Sequence, residues 1–274
     1  MDSDGFHKAY VSHLELSSKE EKMKFLGQFC LLLSLSACFG PTEPVENNEE
    51  TTGEEKQEAV CEEPSEIPCL DALIQDLSLQ DEISSGNVTN TQEGDDWVTT
   101  IDATAGGFGN SSQNPFVYMK FTDEGLVKIE VDDESALESM EWHLSARRYV
   151  VRTNGGSSGP SCVGATALLN EQYENITAIP EGISFYSDDF YTASCDLIPD
   201  SFGLGDPQVV LVNWWSYESC VKTTLTPFVV ELNDGRHLKM VLEEYYGAGQ
   251  EDCNSGGSPD SSSSANLKIR WSFL

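Results

Sequence analysis

The sequence predicts an all-β domain, built mostly of antiparallel sheet, behind a disordered acidic N-terminal tail. From Trp97 onward, short segments of alternating or apolar residues follow one another, with Gly, Pro, Asn and Asp between them. This pattern is typical of strands joined by turns. No segment of that region shows the long helical periodicity of about 3.6 residues that a βαβ unit would need. The 274-residue chain therefore holds one sizeable β domain and a tail.

The predicted strands share alternating or apolar side chains and cover residues 97–103, 116–121, 126–131, 142–151, 208–217, 226–233, 236–246 and 266–273. Asp234-Gly235 is the strongest hairpin signal in the chain, because an Asp-Gly pair suits a tight turn between two strands. Residues 160–208 contain four prolines and are predicted to be mostly loop.

Residues 142–159, with the sequence WHLSARRYVVRTNGGSSG, organise the predicted sheet. Alternation over the first ten of them predicts one continuous strand with two faces. Arg147 shares one face with His143, and we assign its guanidinium to a ligand. Arg148 and Arg152 share the other face, beside the core. We expect both to be structural, because an unpaired buried charge is costly.

Composition excludes several classes of partner. The net charge is -32, and a surface this acidic disfavours nucleic acid and anionic lipid headgroups, which both need basic residues. The eight cysteines include no C-x2-C pair, which argues against a zinc ribbon or finger. The acidic tail has no EF-hand spacing. No metal site is predicted.

The N-terminal part is typical of an export and anchoring signal. Residues 23–37 combine a lysine, an apolar run and small residues directly before Cys38, as in a bacterial lipoprotein signal peptide. We expect Cys38 to be lipidated and to anchor the protein at the outer membrane, so that lipid is its only contact with the bilayer. The apolar run is shorter than the roughly 20 residues of a spanning helix. We interpret residues 1–22, which precede Met23, as a mis-assigned extension.

Residues 38–95 are predicted to be an acidic tether and residues 96–274 the folded domain. The first part of the tether is crowded with glutamate and poor in large apolar residues, so burial cannot offset the entropy of ordering it. Apolar spacing over residues 70–79 allows one short helix. Cys61 and Cys69 flank two prolines and are candidates to pair with each other.

Export to an oxidising compartment predicts that the four domain cysteines are oxidised and form two disulfides with one another. They are Cys162, Cys195, Cys220 and Cys253. Four cysteines allow three connectivities, and the sequence does not choose among them.

Residues 155–159 fit the G-x-S-x-G pattern of a hydrolase nucleophile elbow, with Ser157 in the place of the nucleophile. An elbow needs a long helix directly after the serine, but Pro160 follows at once. The preceding segment carries three arginines, unlike a central parallel strand. We therefore interpret this segment as a glycine turn, and we predict no catalytic residue and no enzymatic activity.

The same stretch resembles the signature of the HmuY family of haem-binding bacterial surface lipoproteins. The resemblance lies in a Trp, a short apolar alternation, an Arg pair and then Arg-Thr-Asn-Gly-Gly-x-Ser-Gly. A weaker match covers residues 228–246, with an Asp-Gly turn and a Tyr-Tyr pair. Over about residues 97–274 the resemblance implies an all-β domain that captures haem at the cell surface and relays it. Haem and haem-carrying proteins are the implied partners.

Side-chain chemistry, taken together with the implied haem ligand, suggests which residues would meet haem. His143, Met140 and His237 are the candidate axial ligands, and Arg147 is the candidate partner for the propionates. The best-known member of the family binds iron through two histidines, and this chain carries Arg147 where one of them is expected. Each histidine also has a simpler interpretation as a hydrogen-bonded or solvated strand residue. The alternative is therefore a surface lipoprotein with an interaction or structural role that does not bind haem.

Overall fold

Antiparallel β-sheet dominates the part of the chain that the computed structural model describes, which is residues 61–104, 113–202 and 205–274. All of these residues lie in the unit Glu54–Leu274. The predicted all-β class is confirmed. The predicted extension, the signal peptide and Cys38 lie outside the described residues.

In chain order the elements are α1 (Leu70–Asp76), β1 (Val88–Glu93), β2 (Asp96–Asp102), β3 (Val117–Thr122), β4 (Gly125–Ile129), α2 (Asp133–Ala136), β5 (Leu144–Arg147), β6 (Val150–Thr153), β7 (Gly164–Ala167), β8 (Trp215–Tyr217), β9 (Val221–Thr223), β10 (Pro227–Glu231), β11 (His237–Tyr246), α3 (Gln250–Asn254) and β12 (Ser264–Phe273). Short 3-10 helices cover Tyr173–Asn175, Val212–Trp214 and Ser261–Ser263. No helix among the described residues is both long and apolar enough to cross a membrane.

The strands form three sheets in which all paired neighbours are antiparallel. The six-stranded sheet has the order β1-β2-β12-β11-β10-β7, the four-stranded sheet has the order β4-β3-β5-β6, and β8 pairs with β9 in a two-stranded ribbon. The Asp-Gly hairpin is present as predicted, since β10 and β11 pair on either side of it and Gly235 has a φ of 84°.

Both faces of the four-stranded sheet are buried. One face packs on the six-stranded sheet through alternating side chains such as Met119, Leu144 and Trp271. The other face packs under α1, whose Leu73 and Leu77 join a second apolar cluster. Because strand side chains alternate between the two faces, apolar residues at every second position of these strands join the first apolar cluster. Apolar residues on the opposite face join the second apolar cluster, which α1 covers.

Residues 142–153 form a hairpin, and the predicted continuous strand is wrong. Arg147 pairs with Val150, so Arg148 and Tyr149 make a two-residue turn. Arg148 has a φ of 56°, the left-handed conformation that such turns require and that residues other than glycine seldom adopt. Arg152 pairs with Ser145, two residues before Arg147, so Arg147 and Arg152 share one face. The predicted separation of these two arginines is therefore wrong.

The domain begins earlier than the predicted boundary at residue 96. Within residues 61–95, α1 packs on the second cluster and β1 pairs along the whole of β2. The sequence between Cys61 and Glu93 is polar enough to resemble a tether, but Leu73, Leu77 and Leu79 are buried against the domain. This part of the predicted tether is thus a structural layer of the fold.

Among the described residues, three disulfides are present: Cys61–Cys162, Cys69–Cys195 and Cys220–Cys253. All four domain cysteines are oxidised as predicted. Two of them, however, pair with the N-terminal segment. The expected pairing of all four among themselves is therefore wrong, and so is the expected bond between Cys61 and Cys69. The reason is tertiary: the layer that carries those two cysteines lies against the sheet, within reach of the loops that carry their partners.

Residues 208–214 are not the predicted buried strand. The backbone amide of Val210 donates to Asp188 Oδ1 at 2.7 Å, and that of Trp214 donates to the Leu211 carbonyl in a 3-10 turn. Neither amide donates to a neighbouring strand, so the apolar residues of this segment lie in a turn and not in a β-sheet. Only its end, from Trp215 to Tyr217, forms a strand.

Candidate functional site

The two-residue turn of Arg148 and Tyr149 lies between two clefts. The larger one, which we call the tyrosine cleft, has a volume of about 340 Å³ and is lined by Arg148, Tyr149, Tyr217, Ser219, Val221, Tyr245, Tyr246, Ser261 and Ser264. The smaller one measures about 130 Å³ and is lined by Asp76, Ser78, Arg147, Arg148, Tyr149, Val150 and Asp206. The tyrosine cleft concentrates aromatic and cationic groups, and it is the candidate functional site.

Several separate elements build the tyrosine cleft. The β5–β6 turn contributes Arg148 and Tyr149, β8 contributes Tyr217, and the end of β11 contributes Tyr245 and Tyr246. Consecutive strand residues normally point to opposite faces, but the β11–β12 register shifts between Glu244 and Tyr246. This irregularity allows two adjacent tyrosines to line one cleft.

A wall of aromatic rings backs the cleft. The Tyr149 ring lies 4.7 Å from the Trp215 ring, which lies 4.3 Å from that of Phe202. Trp214 Nε1 donates to the Tyr149 carbonyl at 3.2 Å. Packed rings with a hydrogen-bonded anchor have few alternative rotamers, so the site is preorganised.

The four phenols differ in their partners. Tyr149 Oη donates to Asp206 Oδ2 at 2.6 Å, and burial together with this carboxylate raises the pKa of Tyr149. Burial raises the pKa of Tyr245 to about 12, against the opposing effect of the Arg148 charge. Tyr246 Oη accepts a hydrogen bond from the Val221 amide at 3.2 Å. Tyr217 is 44% exposed. Neutral ring faces beside one guanidinium suit a flat aromatic ligand that carries carboxylates.

His143, a predicted haem ligand, lies in the core. Its Nδ1 accepts a hydrogen bond from the Phe121 amide at 3.1 Å, and its ring stacks on the Phe121 ring at 6.1 Å. Asn233 also contacts the imidazole, and burial lowers the pKa of His143 to about 4. The side chain is neutral and structural, and it lines neither cleft.

Arg147 is also structural here, contrary to its assignment to a ligand. Its guanidinium donates to the carbonyls of Leu77 at 2.5 Å and Asn114 at 3.2 Å, and it stacks over the Phe116 ring at 4.2 Å. Leu77 is the C-cap residue that directly follows α1. Carbonyls at a helix end lack intrahelical partners, so Arg147 holds the end of α1 on the sheet by supplying them.

The other two predicted ligands lie elsewhere. The Met140 carbonyl accepts from Asn233 Nδ2 at 3.3 Å, so Met140 and His143 meet at the same asparagine. His237 Nε2 lies 3.1 Å from Glu231 Oε1, its partner across the β10–β11 hairpin. The structure thus brings two of the four predicted residues together, outside the tyrosine cleft. In the part of the chain that is described, no group of three or more His, Cys, Asp or Glu side chains could hold a metal ion.

The glycine-rich segment after β6 is a turn held by Asp188. Its carboxylate accepts hydrogen bonds from the Thr153 amide at 3.1 Å and from Ser158 Oγ at 2.6 Å. Gly156 has a φ of 61°, and a β-carbon there would collide with the Asp188 carbonyl. We expect Arg152 to bind a carboxylate or carbonyls of this turn, and in the structure its Nη2 donates to Tyr118 Oη at 3.4 Å.

The free energy of unfolding is expected to depend on His143 between pH 6.5 and about 4. The folded pKa lies below the unfolded one, so the unfolded chain binds more protons in this window. The contribution of neutral His143 to the free energy of unfolding is therefore complete above pH 6.5, and it is lost as the pH falls towards 4. The shift corresponds to about 3 kcal/mol. Urea unfolding at both ends of the window measures it.

His143→Asn is the matched control, because its Oδ1 can still accept from the Phe121 amide but does not titrate. The other carboxylates contribute equally to the pH dependence of the free energy of unfolding in the wild type and in the variant. The wild type should therefore lose more stability on acidification than the variant. Equal losses would show that the imidazole is not protonated on unfolding in this window.

No family model and no curated protein matches this sequence. Solved structures do match. A structure from Bacteroides vulgatus, described as a putative HmuY-like heme binding protein, is 20% identical and aligns over 67% of this chain and 95% of its own, with a TM-score of 0.41. This chain is similar to HmuY-like proteins.

Two further structures agree with that similarity. The apo HmuY analog of Tannerella forsythia is 13% identical over 71% of this chain and 99% of its own, with a TM-score of 0.36. A putative lipoprotein of Bacteroides fragilis is 15% identical over 66% of this chain and 91% of its own, with a TM-score of 0.42. At such low identities and TM-scores, likeness to HmuY-like structures carries no argument about ligand or partner.

Sequence reasoning missed the tyrosine cleft. It noted the Tyr245-Tyr246 pair only as part of a family match, and it placed Tyr149 and Tyr217 in strands without a role. The signal that could have found the site is the number of tyrosines near strand ends. Their convergence, however, depends on how distant strands pack, which no local pattern contains.

Proposed function

We propose that the protein is a haem-binding surface lipoprotein, a carrier and not an enzyme, that captures haem in the tyrosine cleft and relays it. The observation that carries the proposal is the convergence of four phenol rings and Arg148 on one cleft of about 340 Å³. Anchoring at the outer membrane through Cys38 belongs to the same proposal, and it rests on the sequence signal alone.

The chemistry of the lining fits the face and the edge of a tetrapyrrole. Aromatic rings gain from contact with a flat apolar macrocycle, and a guanidinium pairs well with a propionate. Arg148 lies 5.7 Å from the Tyr149 ring centroid, so the cation and the aromatic face are adjacent. Serine hydroxyls on the rim can donate to a second carboxylate.

A surface lipoprotein with an interaction role and without haem is the second candidate. It is favoured by the position of the residues that the family resemblance singled out. His143 is buried with Nδ1 engaged, and the Arg147 guanidinium is bound to backbone carbonyls. Neither can meet haem without local unfolding.

Arg148→Gly should weaken haem binding by about tenfold while leaving the fold intact. Glycine adopts the left-handed conformation of residue 148 without strain, so the change removes a guanidinium and costs no backbone energy. Loss of one charge-assisted contact corresponds to about 1.4 kcal/mol. Titration of the purified full chain with hemin, followed by the Soret band, gives the affinities.

Arg236→Ala is the matched control. Arg236 forms ion pairs with Asp234 and Asp123 outside the cleft, so its removal should leave hemin affinity unchanged. Absence of any spectral change when micromolar hemin meets the wild type would overturn the haem proposal and favour the interaction role. Equal hemin affinities for the wild type and Arg148→Gly would show that Arg148 does not contact the bound haem.

A further inference from the structure

The tyrosine cleft offers haem iron one class of ligand among its described lining residues. These are one Arg, four Tyr, three Ser and one Val. A guanidinium has no lone pair to give, and neither serine nor valine belongs to the recurring haem ligands. A tyrosine phenolate does belong to them. The identity of the iron ligand therefore reduces to a choice among four phenols.

Three of these phenols are enclosed or engaged. Tyr149 Oη is bound to Asp206 at 2.6 Å. Tyr245 is 1% exposed, and Tyr246 is 6% exposed with its Oη held by the Val221 amide. Tyr217 is 44% exposed, which makes it the most accessible of the four tyrosines to an entering ligand.

The strand geometry directs Tyr217 towards the cleft. Residues two apart on a strand share a face, so Tyr217 lies on the same side of β8 as Trp215. Trp215 packs on Tyr149 at 4.7 Å, which places that side of the strand against the cleft wall.

The ribbon that carries Tyr217 is firmly braced. Cys220, in the β8–β9 turn, is bonded to Cys253 of α3. Asn254 Oδ1 accepts from the Thr223 amide at 3.1 Å, and Gln250 Nε2 donates to the Val221 carbonyl at 3.1 Å. A side chain on a ribbon fixed at three points keeps its position, as a preformed ligand must.

We propose that Tyr217 binds ferric haem iron through its phenolate oxygen, an inference that rests on the proposed function. The Oη–Fe bond forms as the phenolic proton passes to water, and no electron is transferred. An anionic oxygen ligand favours Fe(III) over Fe(II), so the carrier is selective for ferric haem.

Tyr217→Phe tests this assignment, because it removes one oxygen and keeps the ring. Tyr186→Phe is the matched control, a tyrosine that is 62% exposed and absent from the cleft lining. Both variants and the wild type are titrated as full chains with hemin, with dithionite-reduced hemin and with metal-free protoporphyrin IX. Resonance Raman spectra of the ferric complexes report an iron–phenolate bond.

Tyr217→Phe should lose the iron–phenolate bands and bind hemin about tenfold more weakly, as expected for one lost ligand bond. Its affinity for protoporphyrin IX should stay unchanged, since that molecule has no iron. The wild type should bind reduced hemin no better than Tyr217→Phe does. Tyr186→Phe should behave as the wild type.

Two outcomes separate this inference from the proposed function. If neither hemin nor protoporphyrin IX binds the wild type, the haem-carrier proposal itself fails. If both bind and Tyr217→Phe keeps its hemin affinity and its Raman bands, the carrier proposal stands and the Tyr217 assignment is wrong. If Tyr217→Phe binds protoporphyrin IX more weakly as well, the Tyr217 hydroxyl contacts the macrocycle or its propionates, and its assignment as the iron ligand is wrong.

Discussion

Replacing Cys69 and Cys195 together with alanine is expected to lower the free energy of unfolding by about 4 kcal/mol. The disulfide closes a segment with a sequence separation of 126 residues, so breaking it restores a large loop entropy to the unfolded chain. It also frees the residue directly before α1, the helix that covers the outer face of the four-stranded sheet. Urea unfolding of the oxidised proteins gives the difference.

The third disulfide provides the comparison. Cys220 and Cys253 are separated by only 33 residues, so the same entropy argument predicts a loss smaller by about 1 kcal/mol for their double alanine variant. Limited proteolysis should cleave near α1 in the first variant and not in the second. An unchanged unfolding midpoint in the first variant would show that apolar packing and Arg147 suffice to hold the helix.

Arg152→Ala is expected to cost about 3–5 kcal/mol, because it removes a buried cation that acts on two buried carboxylates. Arg152 is 0% exposed, and its guanidinium lies over the Phe116 ring at 4.3 Å. Its charge acts on Asp133 and Asp188, whose pKa values burial raises and Arg152 lowers. Without the cation, both carboxylates are harder to keep ionised in the core.

Thermal unfolding measures this effect. For a domain of this size, each kcal/mol corresponds to roughly 2–4 °C, so the melting temperature should fall by about 10 °C. Arg236→Ala is the control, since its ion pairs are exposed and should contribute about 1 kcal/mol or less. A fall no larger in Arg152→Ala than in the control would mean that the buried carboxylates are neutral without help from Arg152.

The hairpin of β5 and β6 shows why an accurate local pattern can still mislead. Alternation runs unbroken through Arg148 and Tyr149, because a two-residue turn preserves the period of two. Glycine or asparagine usually marks such a turn, and here an arginine occupies the left-handed position. Because the chain reverses at this turn, Arg147 lies on the same face as Arg152. The Arg147 guanidinium there binds backbone carbonyls, so Arg147 is structural and does not have the ligand-binding role predicted for it.

The sequence by itself determined the all-β class, the Asp234-Gly235 hairpin and the oxidation of the domain cysteines. These features depend on residues close together in the chain or on composition. Only the tertiary structure decided the cysteine partners, the burial of His143 and the tyrosine cleft. The cleft joins Arg148 to Tyr217 and Tyr245, which lie on different elements. Local periodicity records which side of a strand a residue faces, whereas the packing of sheets and α1 decides which distant side chains that face meets.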